Sequence, residues 1–172
     1  MVGMIQVQHF CEQISTTACV TACACMALRA RGKAPDQRAL HVDVTEAGRP
    51  LKDILDLVPN TRAFEGLREH LFDGVVDELD AGHAIIAEVS GLAWMYLPAV
   101  QRRREASGRS WDEDGRAFLH AIVLYAFTPA EGRFGEEELL CLGPFFPAEE
   151  QPVRISRQEL LDVFSRAVVI RP

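Results

Sequence analysis

Gln13, Cys19 and His120 are the residues of this chain whose types, order and surroundings could do covalent chemistry together. Cys19 stands at the start of a small, apolar stretch, residues 18–31, that reads as a buried helix. At a helix start the first backbone N–H groups lack partners, and the positive end of the dipole favours a thiolate over a thiol. A thiol so placed is a competent nucleophile near neutral pH. His120 falls within Phe118-Leu119-His120-Ala121-Ile122, which reads as a buried strand. An imidazole there is costly unless it meets a partner. A strand side chain facing a helix N-terminus is the placement a Cys–His pair needs, with sulfur and ring nitrogen within about 4 Å. Gln13 lies six residues before Cys19, on the loop entering the helix. Its amide could point at an oxyanion beside the Cys19 backbone N–H. Each residue alone also has a plain structural reading: a Cys packed in an Ala-rich helix, a satisfied core His, a loop Gln.

The elements that must position these groups are legible in outline. Ser15, Thr16 and Thr17 offer N-cap hydroxyls before the first helix, and Gly32 offers its stop. Residues 33–50 read as loop with a short strand at 40–44, and residues 51–58 as a short amphipathic helix. Leu67, Leu71, Val75 and Leu79 make a helical stripe across residues 63–80, ended by Gly82. Strands are expected at 84–89, 117–127, 139–142 and 167–170, and Ser156–Glu159 is a capping box opening a helix before the last of them. Residues 91–116 form a long connection with an Arg102-Arg103-Arg104 run and an Asp112-Glu113-Asp114 run. It reads either as a solvated loop or edge helix, or as a substrate-side lid or docking loop. Helices first and antiparallel strands after argue an α+β fold.

At 172 residues the chain suits one domain, residues 1–172, with a core large enough to need no staple. Eighteen basic against 25 acidic residues, a net charge of −7, argue against nucleic acid or an anionic lipid surface as partner. No apolar run reaches the roughly 18 residues of a membrane span, and the N-terminus lacks the basic and apolar regions of a secretory signal. A cytoplasmic location, or export without a cleavable signal, is expected. Five cysteines, with no CxxC pair and no histidines at zinc spacing, are read as reduced thiols. No metal or organic cofactor is expected, although Cys19, Cys23 and His120 are a conceivable metal set.

The stretch Gln13-Ile-Ser-Thr-Thr-Ala-Cys19-Val-Thr-Ala-Cys23-Ala-Cys25-Met26 resembles the Gln-x5-Cys entry of papain-like cysteine peptidases, most closely the bacterial C39-like branch. Residues 80–89 are similar to that family's strand after a Gly turn, and residues 118–124 to its catalytic-His strand. Cys141-Leu142-Gly143-Pro144 falls where the family has Asp-Pro. The resemblance implies a papain-like fold, an N-terminal helical part packed on an antiparallel sheet, and a peptide or protein substrate. It also implies Cys19 as nucleophile, His120 as general base and acid, and Gln13 in the oxyanion hole. Deamidation and acyl transfer would use the same parts.

Two departures stand out: Val20 follows the nucleophile, and Gly143 occupies the place of the third catalytic residue. The chain's sole Asn is Asn60, and the sole Asp after His120 is Asp162. A backbone carbonyl, Gln151, or one of Glu136, Glu137 and Glu138 could orient the imidazole instead. Loss of an orienter costs orders of magnitude in rate without abolishing binding. A catalytically lapsed scaffold that binds a protein or peptide, through the Arg102–Arg104 loop, is therefore the alternative. His83, at a strand start after Gly82, is the competing histidine.

Overall fold

A computed structural model describes residues 4–15, 17–42, 44, 48–66, 68–98, 100–101, 119–130 and 136–172. Its frame is a six-stranded, wholly antiparallel sheet in the order β1-β6-β2-β3-β4-β5. The strands are β1 (Thr61–Ala63), β2 (Ala84–Ser90), β3 (Leu119–Thr128), β4 (Glu138–Leu142), β5 (Val153–Ser156) and β6 (Phe164–Ile170). The helices whose bounds lie among the described residues are α1 (Cys19–Ala30), α2 (Gln37–Leu40), α3 (Ile54–Leu57), α4 (Leu71–Asp80), α5 (Gly91–Tyr96) and α6 (Arg157–Val163). The architecture is α+β, as the order of helical and strand patterns predicts.

Burial on both faces explains the near-continuous apolar runs of β2 and β3. One face carries Ala84, Ile86, Ala121, Val123, Val168 and Ile170, packed by α1, α3 and the N-terminal segment. The other carries Ile85, Ala87, Val89, Ile122, Leu124 and Ala167, packed by α4, α5 and α6. The small side chains of α1 let its backbone approach the sheet closely, and Ala22, Cys23, Ala24, Cys25, Met26 and Ala27 are completely buried.

Gly32 and Gly82 end α1 and α4 for one reason. Each has a left-handed backbone, φ 70° and 80°, which returns two orphan carbonyls to the chain. Gly32 N–H donates to Arg29 O and Lys33 N–H to Leu28 O; Gly82 N–H donates to Leu79 O and His83 N–H to Glu78 O. A Cβ on Gly82 would meet nothing closer than Met4 Sδ at 3.5 Å, so the cost of Gly82→Ala is confined to the backbone. It is expected to be about 1 kcal/mol in urea unfolding.

Four local expectations are corrected. The described residues of 40–44 form no strand; the chain instead makes α2, capped by the Asp36 carboxylate accepting from Arg38 N–H. The helix expected over 63–80 begins only at Leu71, because Thr61–Ala63 pair with the free edge of β6. The helix expected over 51–58 is a 3-10 turn at Leu51–Asp53 running into α3. β5 was not foreseen, and its alternation of buried Val153 and Ile155 with exposed Arg154 is too short to stand out. The expected capping box at α6 is present: Ser156 Oγ accepts from Glu159 N–H, and Glu159 Oε2 accepts from Ser156 N–H. The Arg102–Arg104 and Asp112–Asp114 runs lie outside the described residues. Among the described residues, no helix is long and apolar enough to cross a membrane.

Candidate active site

Cys19 is the first residue of α1. The helix start differs from the sequence expectation, since its N-cap is Ala18 and no side chain caps it. Ser15 and Thr17 pair their hydroxyls with each other, and Thr17 also meets His41. The backbone N–H groups of Cys19 and Val20 are thereby left to the Cys19 sulfur, joined by that of Ala121 from β3. Burial nonetheless dominates and pushes the thiol pKa up, against those three donors; the Glu88 carboxylate pushes it further.

Glu88 is a residue that sequence reasoning missed. It lies on the α1 face of β2, opposite Ala121, and is buried. Arg166, its partner in register on β6, grips it with both arms of the guanidinium: Nε to Oε1 at 2.7 Å, Nη2 to Oε2 at 3.1 Å. A glutamate inside the run Ala84–Ser90 was the available signal, because a buried carboxylate demands a partner. Glu88→Gln removes a negative charge near the sulfur and leaves the Arg166 charge unopposed. Alkylation of Cys19 at fixed pH near 8 is expected to be faster in this variant.

His120 is the second residue of β3. Strand alternation gives it the parity of Ile122 and Leu124, and its partner in register is Val89. Its ring accordingly sits on the face opposite α1, with its centroid 6.0 Å from that of Trp94. Among the described residues no hydrogen bond joins it to Cys19. The thiol instead rests against the backbone of Ala121, the very next residue. Burial alone lowers the His120 pKa to about 4, and among the described residues Nε2 is buried without a hydrogen-bond partner.

The orphaned nitrogen marks what Gly143 removes. A Cβ built on Gly143 would lie 3.7 Å from Trp94 Cζ2 and 3.3 Å from Phe146 Cδ2. Trp94 Nε1, bonded to the neighbour of Cζ2, is also buried without a partner. The Trp94 indole therefore borders the position from which an Asp side chain would project, and the His120 ring packs against that indole. Three of the substitute orienters, Gln151, Glu137 and Glu138, are engaged elsewhere. The Gln151 amide is spent on the Gly143 backbone, accepting from its N–H at 3.1 Å and donating to its carbonyl at 3.0 Å. Glu137 and Glu138 face Arg157 and Arg154.

Gln13 is held through its backbone, whose N–H donates to Pro144 O at 2.9 Å. This ties the loop before α1 to the Gly-Pro turn after β4. Its side-chain Nε2 donates to Ser15 O at 2.9 Å, while Oε1 is buried without a partner. The amide is thus turned into its own loop. Gln37, also unforeseen, fixes that loop from α2: Oε1 accepts from Ile14 N–H at 2.8 Å and Nε2 donates to Glu12 O at 2.9 Å. His83 bonds Glu78 at the end of α4, with Nδ1 2.7 Å from Oε2, away from α1. Among the described residues no group of three His, Cys, Asp or Glu side chains is arranged to hold a metal.

No family model matches the chain, and no curated protein sequence does. Solved structures do. One is a Bacillus anthracis protein described as a "putative C39-like peptidase", 13% identical, matched over 98% of this chain and 97% of that one with a TM-score of 0.63. Over nearly its whole length, then, this chain has the fold of that C39-like protein, with Cys19 at the head of the helix laid on the sheet.

Proposed function

We propose that this chain is a papain-like thiol hydrolase acting on a peptide or protein, with Cys19 as its nucleophile. The observation that carries the reading is the Cys19 sulfur at an uncapped helix start, against the β3 backbone at Ala121, the residue that follows His120 in the chain. In the step proposed, Sγ adds to a carbonyl carbon as His120 takes the thiol proton. The Cys19 N–H, with the Gln13 amide turned away from Ser15 O, receives the oxyanion. His120 then returns the proton to the leaving amine, and water releases the acyl group from sulfur. This chemistry needs the imidazole to turn toward the sulfur, and no side chain at residue 143 holds it there.

That last point favours a second reading, a scaffold whose chemistry has lapsed and which binds its peptide without cutting it. Its support is specific: ring and thiol on opposite faces of β3, His120 Nε2 unpaired, and Gly143 in place of an orienter. Turnover on a mixed peptide library separates the two. The hydrolase reading predicts cleavage by the wild type that vanishes in Cys19→Ala and in His120→Ala. Cleavage unchanged in both variants, or none in the wild type, removes it.

A further inference from the structure

A second thiol centre lies behind α1, apart from Cys19. Cys11, on the segment that precedes the helix, is almost fully buried, and Cys25 on α1 is completely so. The Cys11 sulfur accepts from Gln37 Nε2 at 2.9 Å, lies 3.9 Å from Glu12 O, and is hydrogen-bonded with the Cys25 thiol. Arg29, one turn beyond Cys25, donates to Phe10 O and so keeps its guanidinium beside the pair. These contacts divide the two thiols. Hydrogen bonding from Cys25 lowers the pKa of Cys11 against the effect of burial, with Arg29 and Gln37 helping, while that of Cys25 is raised. Both sulfurs belong to the core beneath α1, and Cys11 is the one next in sequence to an exposed residue, Glu12.

We propose that Cys11 and Cys25 form a redox site in which Cys11 is oxidised by a hydroperoxide and Cys25 resolves the product to a disulfide. The Cys11 thiolate attacks the terminal peroxide oxygen, and the O–O bond breaks. The departing alkoxide or hydroxide takes a proton and leaves as an alcohol or water. Cys11 is then a sulfenic acid. Cys25 sulfur attacks that sulfur, the S–O bond breaks, and the hydroxide leaves as water with the Cys25 proton. Two thiols have lost two electrons, and the hydroperoxide has gained them. The disulfide clamps residue 11 to α1, two residues ahead of Gln13, so the oxidation state bears on the loop that enters the candidate site. The inference does not depend on hydrolysis by Cys19.

The test treats the full-length chain with hydrogen peroxide, blocks remaining thiols by alkylation, and maps the first oxidation product by peptide mass spectrometry without reduction. A Cys11–Cys25 cross-link as first product, formed within one chain, is expected. Cys25→Ser is expected to leave a Cys11 sulfenic acid that a dimedone-type reagent traps. Cys11→Ser is expected to slow thiol loss about tenfold or more. A first product at Cys19, Cys23 or Cys141, or an uncrosslinked sulfinic acid at Cys11 in the wild type, overturns the proposal. So does survival of all five thiols at peroxide doses that oxidise free cysteine.

Discussion

Replacing Gly143 with Asp is expected to raise the depressed pKa of His120 toward neutrality, since an opposite charge beside a buried imidazole favours its charged form. Among the described residues two ring nitrogens, His120 Nε2 and Trp94 Nε1, are buried without a hydrogen-bond partner; the Trp94 indole borders residue 143, and the His120 ring packs against that indole. A carboxylate there is expected to accept from the Trp94 indole N–H, relieving an unsatisfied group that costs about 1–3 kcal/mol, and to set a negative charge near the imidazole packed on that indole. It also stabilises the imidazolium, so the His120 pKa rises from its depressed value of about 4. Room is limited but present, because the closest obstacle to a Cβ is the edge of Phe146 at 3.3 Å, a side chain that must yield by a few tenths of an ångström. NMR titration of His120 in Gly143→Asp and Gly143→Ala side by side separates the carboxylate from the extra carbon. A rise equal in both variants, or a rise in neither with the fold intact, contradicts this account of residue 143.

Acid is expected to weaken the folded state through His120. In the fold its pKa lies near 4, against an unperturbed 6.5, because burial disfavours the charged ring. Above pH 6.5 the ring is neutral whether folded or not, and its contribution to stability is complete. As the pH falls from 6.5 towards 4, the unfolded chain binds a proton that the folded chain refuses, and stability declines. Below pH 4 the folded form also takes the proton and the loss levels off. The shift corresponds to about 3 kcal/mol across that window. Urea unfolding at pH 7 and at pH 4 reads it directly. His120→Gln, which cannot titrate, is expected to lose that part of the pH dependence while carboxylates such as Glu78, held low by His83 and Arg62 despite burial, still contribute. A pH dependence identical in the two proteins contradicts the burial assigned to the ring.

The backbone frame was legible where burial is symmetrical and local. α1 announces itself through small residues on every side and a glycine stop, and β2 and β3 through apolar runs between turns. β1 and β5 were not legible, since three or four residues at a sheet edge owe their state to the strand beside them. The site was legible in its residue types but not in its orientations. Cys19 heads its helix as its neighbours suggest, yet the N-cap hydroxyls expected there bond one another, which no local pattern encodes. Gln37 and Glu88 were missed because their partners lie 26 and 78 residues away in Cys11 and Arg166. His120 shows the sharpest limit. A strand has two faces, and a run that is apolar at both parities does not reveal which face its histidine takes.

Labelling with a peptidyl epoxide of the E-64 type, located by mass spectrometry, tests the account most directly because such a probe needs both a nucleophilic sulfur and a peptide-binding surface around it. With the Cys11 and Cys25 thiols kept reduced, the account predicts an adduct on Cys19 that is absent from Cys19→Ala and diminished in His120→Ala. Cys19 left unmodified in the folded wild-type chain, or an adduct that persists elsewhere at the same rate when Cys19 is gone, would show that the nucleophile is not there.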